Sequence, residues 1–339
     1  MAHSPLWLTE ADVTASIDLP SAIDAIERVL VAEAEGQAAN MTKTLTMVGA
    51  NDVLQAIGGS IAAEGFCGTK TWVNVGGKSQ TVMIVFSLAD GSLQAVVEAT
   101  ALGQIRTAAM SGVGTKWLAH PGAHEMAIIG TGKQALPQIA AVLAVRPLQR
   151  VRIFSRTEAS RLAVADAARR MFPHMDAVAA PSLEAACDAA PIVTLCTNAT
   201  QPFFTSAMAA KGAHINAIGA IVPARAEFTG DVFPRCDAIT VDTLEGAKEL
   251  SREFIDYFGG DQASWDRVTP LSAIIQREYH RPTGADLTLF KPLGMGIADL
   301  AVAVEVVGRC RSRAAGHVLP ERVRSELPLR IDENRAKET

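Results

Sequence analysis

Nothing in this 339-residue sequence marks a disulfide framework, a metal site, a membrane span or a nucleic-acid surface. The five cysteines, Cys67, Cys187, Cys196, Cys236 and Cys310, are scattered, odd in number and free of any CxxC spacing, so buried reduced thiols are expected. The histidines lack ligand spacing. His120 and His124 are four apart, but Pro121 and Gly122 break the helix that a two-histidine face requires. Aromatic residues make up only 5%, and the formal charge of −5, with no block of Lys or Arg, argues against a nucleic-acid partner. No apolar run approaches the roughly 20 residues that span a bilayer. Met1 to Glu10 lacks the charged start and long apolar region of a signal peptide, and a cytoplasmic location is expected.

What is present is apolar and aliphatic. Residues of hydrophobic type make up 49% of the chain, and its length suits two domains. Pro20 to Gly36 reads as a helix with Ile23, Ile26 and Leu30 on one face. From Val53 to Val97 the period shortens. Phe66 to Val73 alternates around Gly68, Lys70 and Trp72, Thr81 to Leu88 is β-branched and aromatic, and Asp90-Gly91 is a hairpin turn before Leu93 to Val97. Glu98 to Leu118 reads as a long helix burying Leu102, Ile105, Ala109, Val113 and Trp117, and His120-Pro121-Gly122 ends it.

Beyond Pro121 strands and helices alternate. Met126–Ile129, Val151–Phe154, Pro191–Cys196, His214–Ile218, Ala238–Val241 and Leu287–Lys291 are the expected strands. Short apolar strands separated by helices predict a parallel sheet covered on both faces. The fold class is therefore α/β: a Rossmann-type, doubly wound parallel sheet over residues 122–311, and an α+β domain over 1–121, to which 312–339 is expected to return.

The segment Gly130-Thr131-Gly132-Lys133-Gln134 follows one of these strands and opens a helix from Ala135 to Val145. Gly130 lets the chain turn, Gly132 lets backbone N–H groups approach a phosphate, and the helix start adds partial positive charge. Ala135 is small enough for close helix–strand packing. The context on both sides points to a diphosphate, hence a dinucleotide, rather than an ordinary turn.

The end of the next strand distinguishes NAD from NADP. An acid there would bind the ribose hydroxyls of NAD. The chain has Ser155-Arg156-Thr157 instead, with Arg161 one turn further on. Arg156 suits a phosphate, with Ser155 and Thr157 as further donors, although Thr157 could equally cap the helix while Arg156 stays solvated. NADP(H) is favoured, and NAD(H) stays open.

Several segments then agree with one family. They are Thr100 to Ala109 with its Arg106-Thr107-Ala108-Ala109 core, the Gly130–Ala135 loop, the block from Gly212-Ala213-His214-Ile215-Asn216 through Ala220, and Leu289-Phe290-Lys291 to Gly296 with Asp299-Leu300-Ala301. On these the chain resembles the ornithine cyclodeaminase/mu-crystallin family. The resemblance implies a dinucleotide domain joined to a substrate-binding and dimerisation domain, a site between them, a homodimer, and hydride exchange between a nicotinamide and an amine/imine carbon. It implies that Lys70 and Arg106 bind the substrate carboxylate and carry catalysis. It also places Thr81, Arg106, Thr197, Gly219 and Leu293 at the cofactor. Without it, a lone strand lysine reads as an exposed edge residue and Arg106 as a helix-surface arginine.

Two departures shape the expectation. Where the family commonly has an arginine upstream of the lysine, the chain reads Asn40-Met41-Thr42-Lys43-Thr44, so Lys43 is expected to substitute, with a less bidentate grip. Where cyclodeaminases and several dehydrogenases carry an aspartate, the chain has Ile221, leaving Asp231, Glu227 or water to move a proton. The expected activity is NADPH-dependent reduction of an imino acid, a cyclic ketimine carboxylate or an N-substituted imine. A cyclodeaminase or amino-acid dehydrogenase using NAD, and a non-catalytic dinucleotide-dependent binder, are the alternatives.

Overall fold

Two sheets divide the computed structural model, which describes residues 4–48, 52–260, 262–320 and 325. The first is seven-stranded, in the order His317–Val318, Leu6–Leu8, Leu93–Glu98, Lys78–Ser87, Phe66–Val75, Asp52–Ile61, Ala38–Val48. It is antiparallel except where Leu6–Leu8 runs parallel to Leu93–Glu98. Helices Leu19–Ala34, Thr100–Leu118 and Gly296–Ser312 share its core. Leu19–Ala34 starts where the Asp18 carboxylate accepts the Ser21 N–H at 2.8 Å and Pro20 occupies the first turn, where its missing donor is harmless.

The second sheet has eight parallel strands, in the order Val268–Pro270, Cys236–Val241, Leu287–Lys291, His214–Ala217, Ile192–Leu195, Glu125–Ile129, Arg150–Phe154, Asp176–Ala179. Side chains of Glu125–Ile129 alternate between two cores. Ala127 and Ile129 join the cluster of Val193, Leu195 and Phe204, while Met126 and Ile128 join that of Ile139, Val151 and Ile153. Both faces are dry, which is why these strands read as continuous apolar runs. From Glu125–Ile129 the chain winds outward through Arg150–Phe154 and Asp176–Ala179. It then crosses to Ile192–Leu195 on the other side, making Glu125–Ile129 the switch point of the sheet.

Three features differ from the sequence expectation. Ala38–Val48 is a strand, though it lacks clean alternation. Most of it is exposed, and a bulge between Met41 and Thr44 interrupts its pairing. Helix Thr100–Leu118 is buried on every side from Ala108 to Thr115, not along one stripe, while Ile105 and Trp117 are only partly covered. It lies between the helices of the first half and strands His214–Ala217 and Leu287–Lys291 of the second, and its small residues permit this. Helix Gly296–Ser312 packs on strands Asp52–Ile61 and Phe66–Val75, with Ile297, Leu300 and Val306 in the first core. The chain thus rejoins the first half near Gly296 rather than at 312. Glycine makes this contact possible, because a Cβ on Gly296 would stand 2.0 Å from the Gly58 carbonyl oxygen. Beyond Gly316, His317–Val318 pairs with Leu6–Leu8, and the charged tail from 321 lies outside the described residues apart from 325.

Candidate active site

The glycine loop stands at the switch point. Gly130 has φ +118°, and a Cβ there would lie 2.5 Å from the Cys196 carbonyl oxygen, so both conformation and space require glycine. A Cβ on Gly132 would meet nothing within 4 Å. Helix Ala135–Val145 begins after Gln134 without a side-chain cap. Open space beside an uncapped helix start is what a diphosphate needs, so these residues fit the dinucleotide that the loop implies. A cavity of about 510 Å³ opens here, with Gly132, Lys133 and Gln134 on its wall. Thr197, Gly219, Ile221, Arg225 and Leu293 line it from the neighbouring loops of the second sheet, Arg106 from the side of the first half. Its lining residues include no acid.

The other expected cofactor residues lie outside this cavity. Ser155, Arg156 and Thr157 follow Arg150–Phe154, next to the loop, where the Gly130 N–H donates to the Phe154 carbonyl at 2.9 Å. Ser155 Oγ donates to the Thr157 carbonyl, Arg161 donates to the Ser155 carbonyl and its guanidinium lies 5.6 Å from the Phe154 ring centroid. Arg156 is exposed, and Thr157 makes no capping bond. Gly130 and Thr131 precede Gly132 in the same loop and are not among the cavity's lining residues. Thr81 pairs with Trp72 across the first sheet, on the face that carries Lys70.

Two buried carboxylates that the sequence reading did not assign to the walls hold them in place. Glu227 accepts from the N–H and Oγ1 of Thr197 at 2.6 and 2.8 Å and from the N–H groups of Gly219 and Ala220. Asp242 accepts from the N–H groups of Thr243, Leu293 and Gly294. Burial raises both carboxyls above their ordinary range. The Lys291 charge and the Thr197 bonds oppose this at Glu227, as the Leu293 and Gly294 N–H groups do at Asp242. Glu227 is consequently a loop anchor rather than a proton donor facing the cavity. Asp231 is engaged by Ser206 and Thr229 and does not line it.

The cationic side belongs to the first sheet. Gly68, Lys70 and Trp72 alternate onto its inner face. Lys70 is only 5% exposed, and its Nζ lies 2.6 Å from Asp299 Oδ1. The same oxygen accepts Arg106 Nε at 2.9 Å. Asp299 is fully buried in the first turn of Gly296–Ser312, and its Oδ2 has no hydrogen-bond partner among the described residues. Unbroken alternation from Asn40 would turn Thr42 and Thr44 inward. The bulge instead brings Lys43 in, with its ammonium 5.9 Å from the Trp72 ring centroid and that of Lys70 at 5.2 Å from the same ring. Burial lowers Lys70 from 10.5 to about 8. Asp299 opposes the fall, while Arg106 and Lys43 add to it. Burial, then the Arg106 charge, lowers Lys43. Lys70 and Arg106 thus share one carboxylate, and Lys43 stands near them without an ion pair among the described residues. Asp299 itself went unassigned in the sequence, although a single acid in the apolar run from Gly296 to Ala303 was its signal.

Fold, glycine loop and cavity define an oxidoreductase of the nicotinamide-dinucleotide class. The sequence matches the ornithine cyclodeaminase/mu-crystallin family over residues 4–314, and the chain belongs to that family. It is 33% identical over 237 residues to the Delta(1)-pyrroline-2-carboxylate reductase of Bacillus cereus, covering 69% of this chain and 72% of that protein. It is 28% identical over 230 residues to the ketimine reductase mu-crystallin of Macropus fuliginosus, covering 67% and 68% respectively. Its fold is shared with the solved Delta(1)-pyrroline-2-carboxylate reductase of Thermococcus litoralis in complex with NADH and L-proline, with a TM-score of 0.86, 21% identity and coverage of 93% of this chain and 100% of that one.

Proposed function

We propose that the protein reduces an imino acid to the amino acid, using NADPH in preference to NADH. The observation that carries this reading is a surplus of positive charge: Lys70 and Arg106 share the Asp299 carboxylate, Lys43 lies over the same Trp72 ring as Lys70 with no ion pair among the described residues, and Arg106 also lines the cavity that the dinucleotide loop walls. A small carboxylate restores the balance and is held where a nicotinamide can reach its neighbouring carbon. The relatives named for pyrroline-2-carboxylate and ketimine reduction support the same substrate class.

The bound dinucleotide supplies the hydride. Lys70 and Arg106 hold the carboxylate and orient the C=N bond, while Lys43 adds a third charge without a planar fork. Asp299 keeps Lys70 protonated at neutral pH and fixes Arg106 through Nε, leaving the outer guanidinium nitrogens free. The imine carbon gains the hydride and its nitrogen a proton. With no acid on the cavity wall, that proton comes with a protonated imine or from water. The same lack of an acid beside Ile221 gives a free second amino group nothing to pair with, which weighs against diamino acids.

The preference for NADPH rests on exposed Arg156 beside the loop, with no acid at that strand end. Exposed Leu45, Met47, Val48 and Leu54 along the far strands of the first sheet support a homodimer. None of the described helices is long and apolar enough to cross a membrane.

The test is loss of NADPH absorbance across a panel of cyclic imino acids and of 2-oxo acids mixed with amines. Turnover of carboxylated imines, with none of imines lacking the carboxylate, is expected. No turnover with any carboxylated imine overturns the reading.

A further inference from the structure

Arg225 stands apart among the cavity's cations. Arg106 is balanced by Asp299, and Lys133 belongs to the diphosphate loop. Arg225 is half-buried, and its Nη1 donates to the neutral Asn198 side chain at 3.0 Å. Among the described residues no carboxylate pairs with it. A guanidinium on the cavity wall, with several donors to spare and no acid among the lining residues, is matched to an anion.

Topology indicates whose anion this is. A dinucleotide lies across the switch point of a doubly wound sheet. Residues 155–161, at the adenosine end, follow Arg150–Phe154, on one side of Glu125–Ile129. Arg225 follows His214–Ala217, two strands away on the other side. It therefore stands at the nicotinamide end, away from any adenosine phosphate, and its partner belongs to the reacting molecule. Ile221, on the same loop and lining the same cavity, offers a carbon chain an apolar contact.

We infer that Arg225 forms a second carboxylate subsite and that the substrate is an imino dicarboxylate, one carboxyl held by Lys43, Lys70 and Arg106 and the other by Arg225. This rests on the imine-reductase reading and sharpens it. The reaction balances as hydride to the imine carbon and a proton to nitrogen, giving a 2-amino dicarboxylate as NADPH is oxidised.

The experiment compares 2-oxo dicarboxylates of four and five carbons with 2-oxo monocarboxylates of the same lengths, each mixed with ammonia or methylamine, in the full-length protein and in Arg225→Gln and Arg225→Lys. The wild type is expected to favour the dicarboxylate in kcat/KM. Arg225→Gln is expected to lower that selectivity about tenfold or more, chiefly through KM, and Arg225→Lys to recover part of it. NADPH dissociation constants, read by fluorescence, should stay within about twofold, since a charge-assisted contact to the cofactor would cost more. Calorimetric binding of 2-amino dicarboxylates against 2-amino monocarboxylates to the NADP-loaded protein repeats the comparison without turnover. Dicarboxylate preference lost in Arg225→Gln supports the subsite even if no imine is reduced. Imine turnover without that preference, or a variant whose main defect is NADPH affinity, overturns it while leaving imine reduction standing.

Discussion

Lys70 and Asp299 are 229 positions apart, yet their side chains meet at 2.6 Å in the core between the first sheet and helix Gly296–Ser312. Arg106 shares the same carboxylate oxygen, so one buried acid organises both cations.

Asp299→Asn tests this dependence. It leaves buried Lys70 and partly buried Arg106, with side-chain exposures of 6% and 16%, without their counter-charge. Removing one partner of a buried ion pair destabilises by about 3–5 kcal/mol. A lower urea midpoint is expected, and the alkaline limb of kcat/KM should move to lower pH, because Asp299 is what holds the Lys70 proton on against burial. An unmoved limb in a folded variant would separate Asp299 from the site.

Lys70 also predicts opposite pH trends for stability and activity. Its pKa falls from 10.5 in the unfolded chain to about 8 in the fold. Between these values the unfolded chain binds a proton that the fold does not, so this group makes stability rise with pH through that window. Wild type should gain on Lys70→Met from pH 8 to 10.5 in paired urea titrations. Carboxylate binding needs the ammonium, so wild-type kcat/KM should fall above about pH 8. Parallel stability curves would mean that Lys70 titrates normally.

The glycine loop predicts a separation of folding from binding. Gly132→Ala places a methyl group in open space and should leave Tm unchanged while weakening dinucleotide binding about tenfold or more, since the methyl occupies room that the diphosphate needs. Gly130→Ala combines a φ of +118° with a 2.5 Å clash and should lower Tm. Thermal melts with and without NADPH distinguish the two. Full NADPH stabilisation of Gly132→Ala counts against this loop as the phosphate site.

Arg156→Ala tests the cofactor preference. Exposed and placed beside the loop, Arg156 can give a charge-assisted pair to the extra phosphate of NADPH and little to NADH. The NADPH dissociation constant should rise about tenfold, and that for NADH should change little. An unchanged ratio of the two would assign the preference elsewhere.

Local information made much of this legible. Strands such as Met126–Ile129 and Leu287–Lys291 are buried on both faces and therefore appear as apolar runs, and the Gly130 turn is written in its own residues. Ala38–Val48 was hidden because an exposed, bulged strand has no alternation to read. Glu227 and Asp242 were hidden because carboxylates that bind backbone N–H groups of distant loops follow no period.

The sequence by itself determined the doubly wound sheet, the glycine turn and the family, because these rest on short-range pattern, and it pointed to Lys70 and Arg106 only through the family resemblance. Only the tertiary structure decided that helix Gly296–Ser312 returns to the first sheet, bringing Asp299 between Lys70 and Arg106. Only it placed Arg225 in a cavity whose lining residues include no acid. Charge balance in a buried site is a property of groups brought together from far along the chain, and that meeting is set by packing.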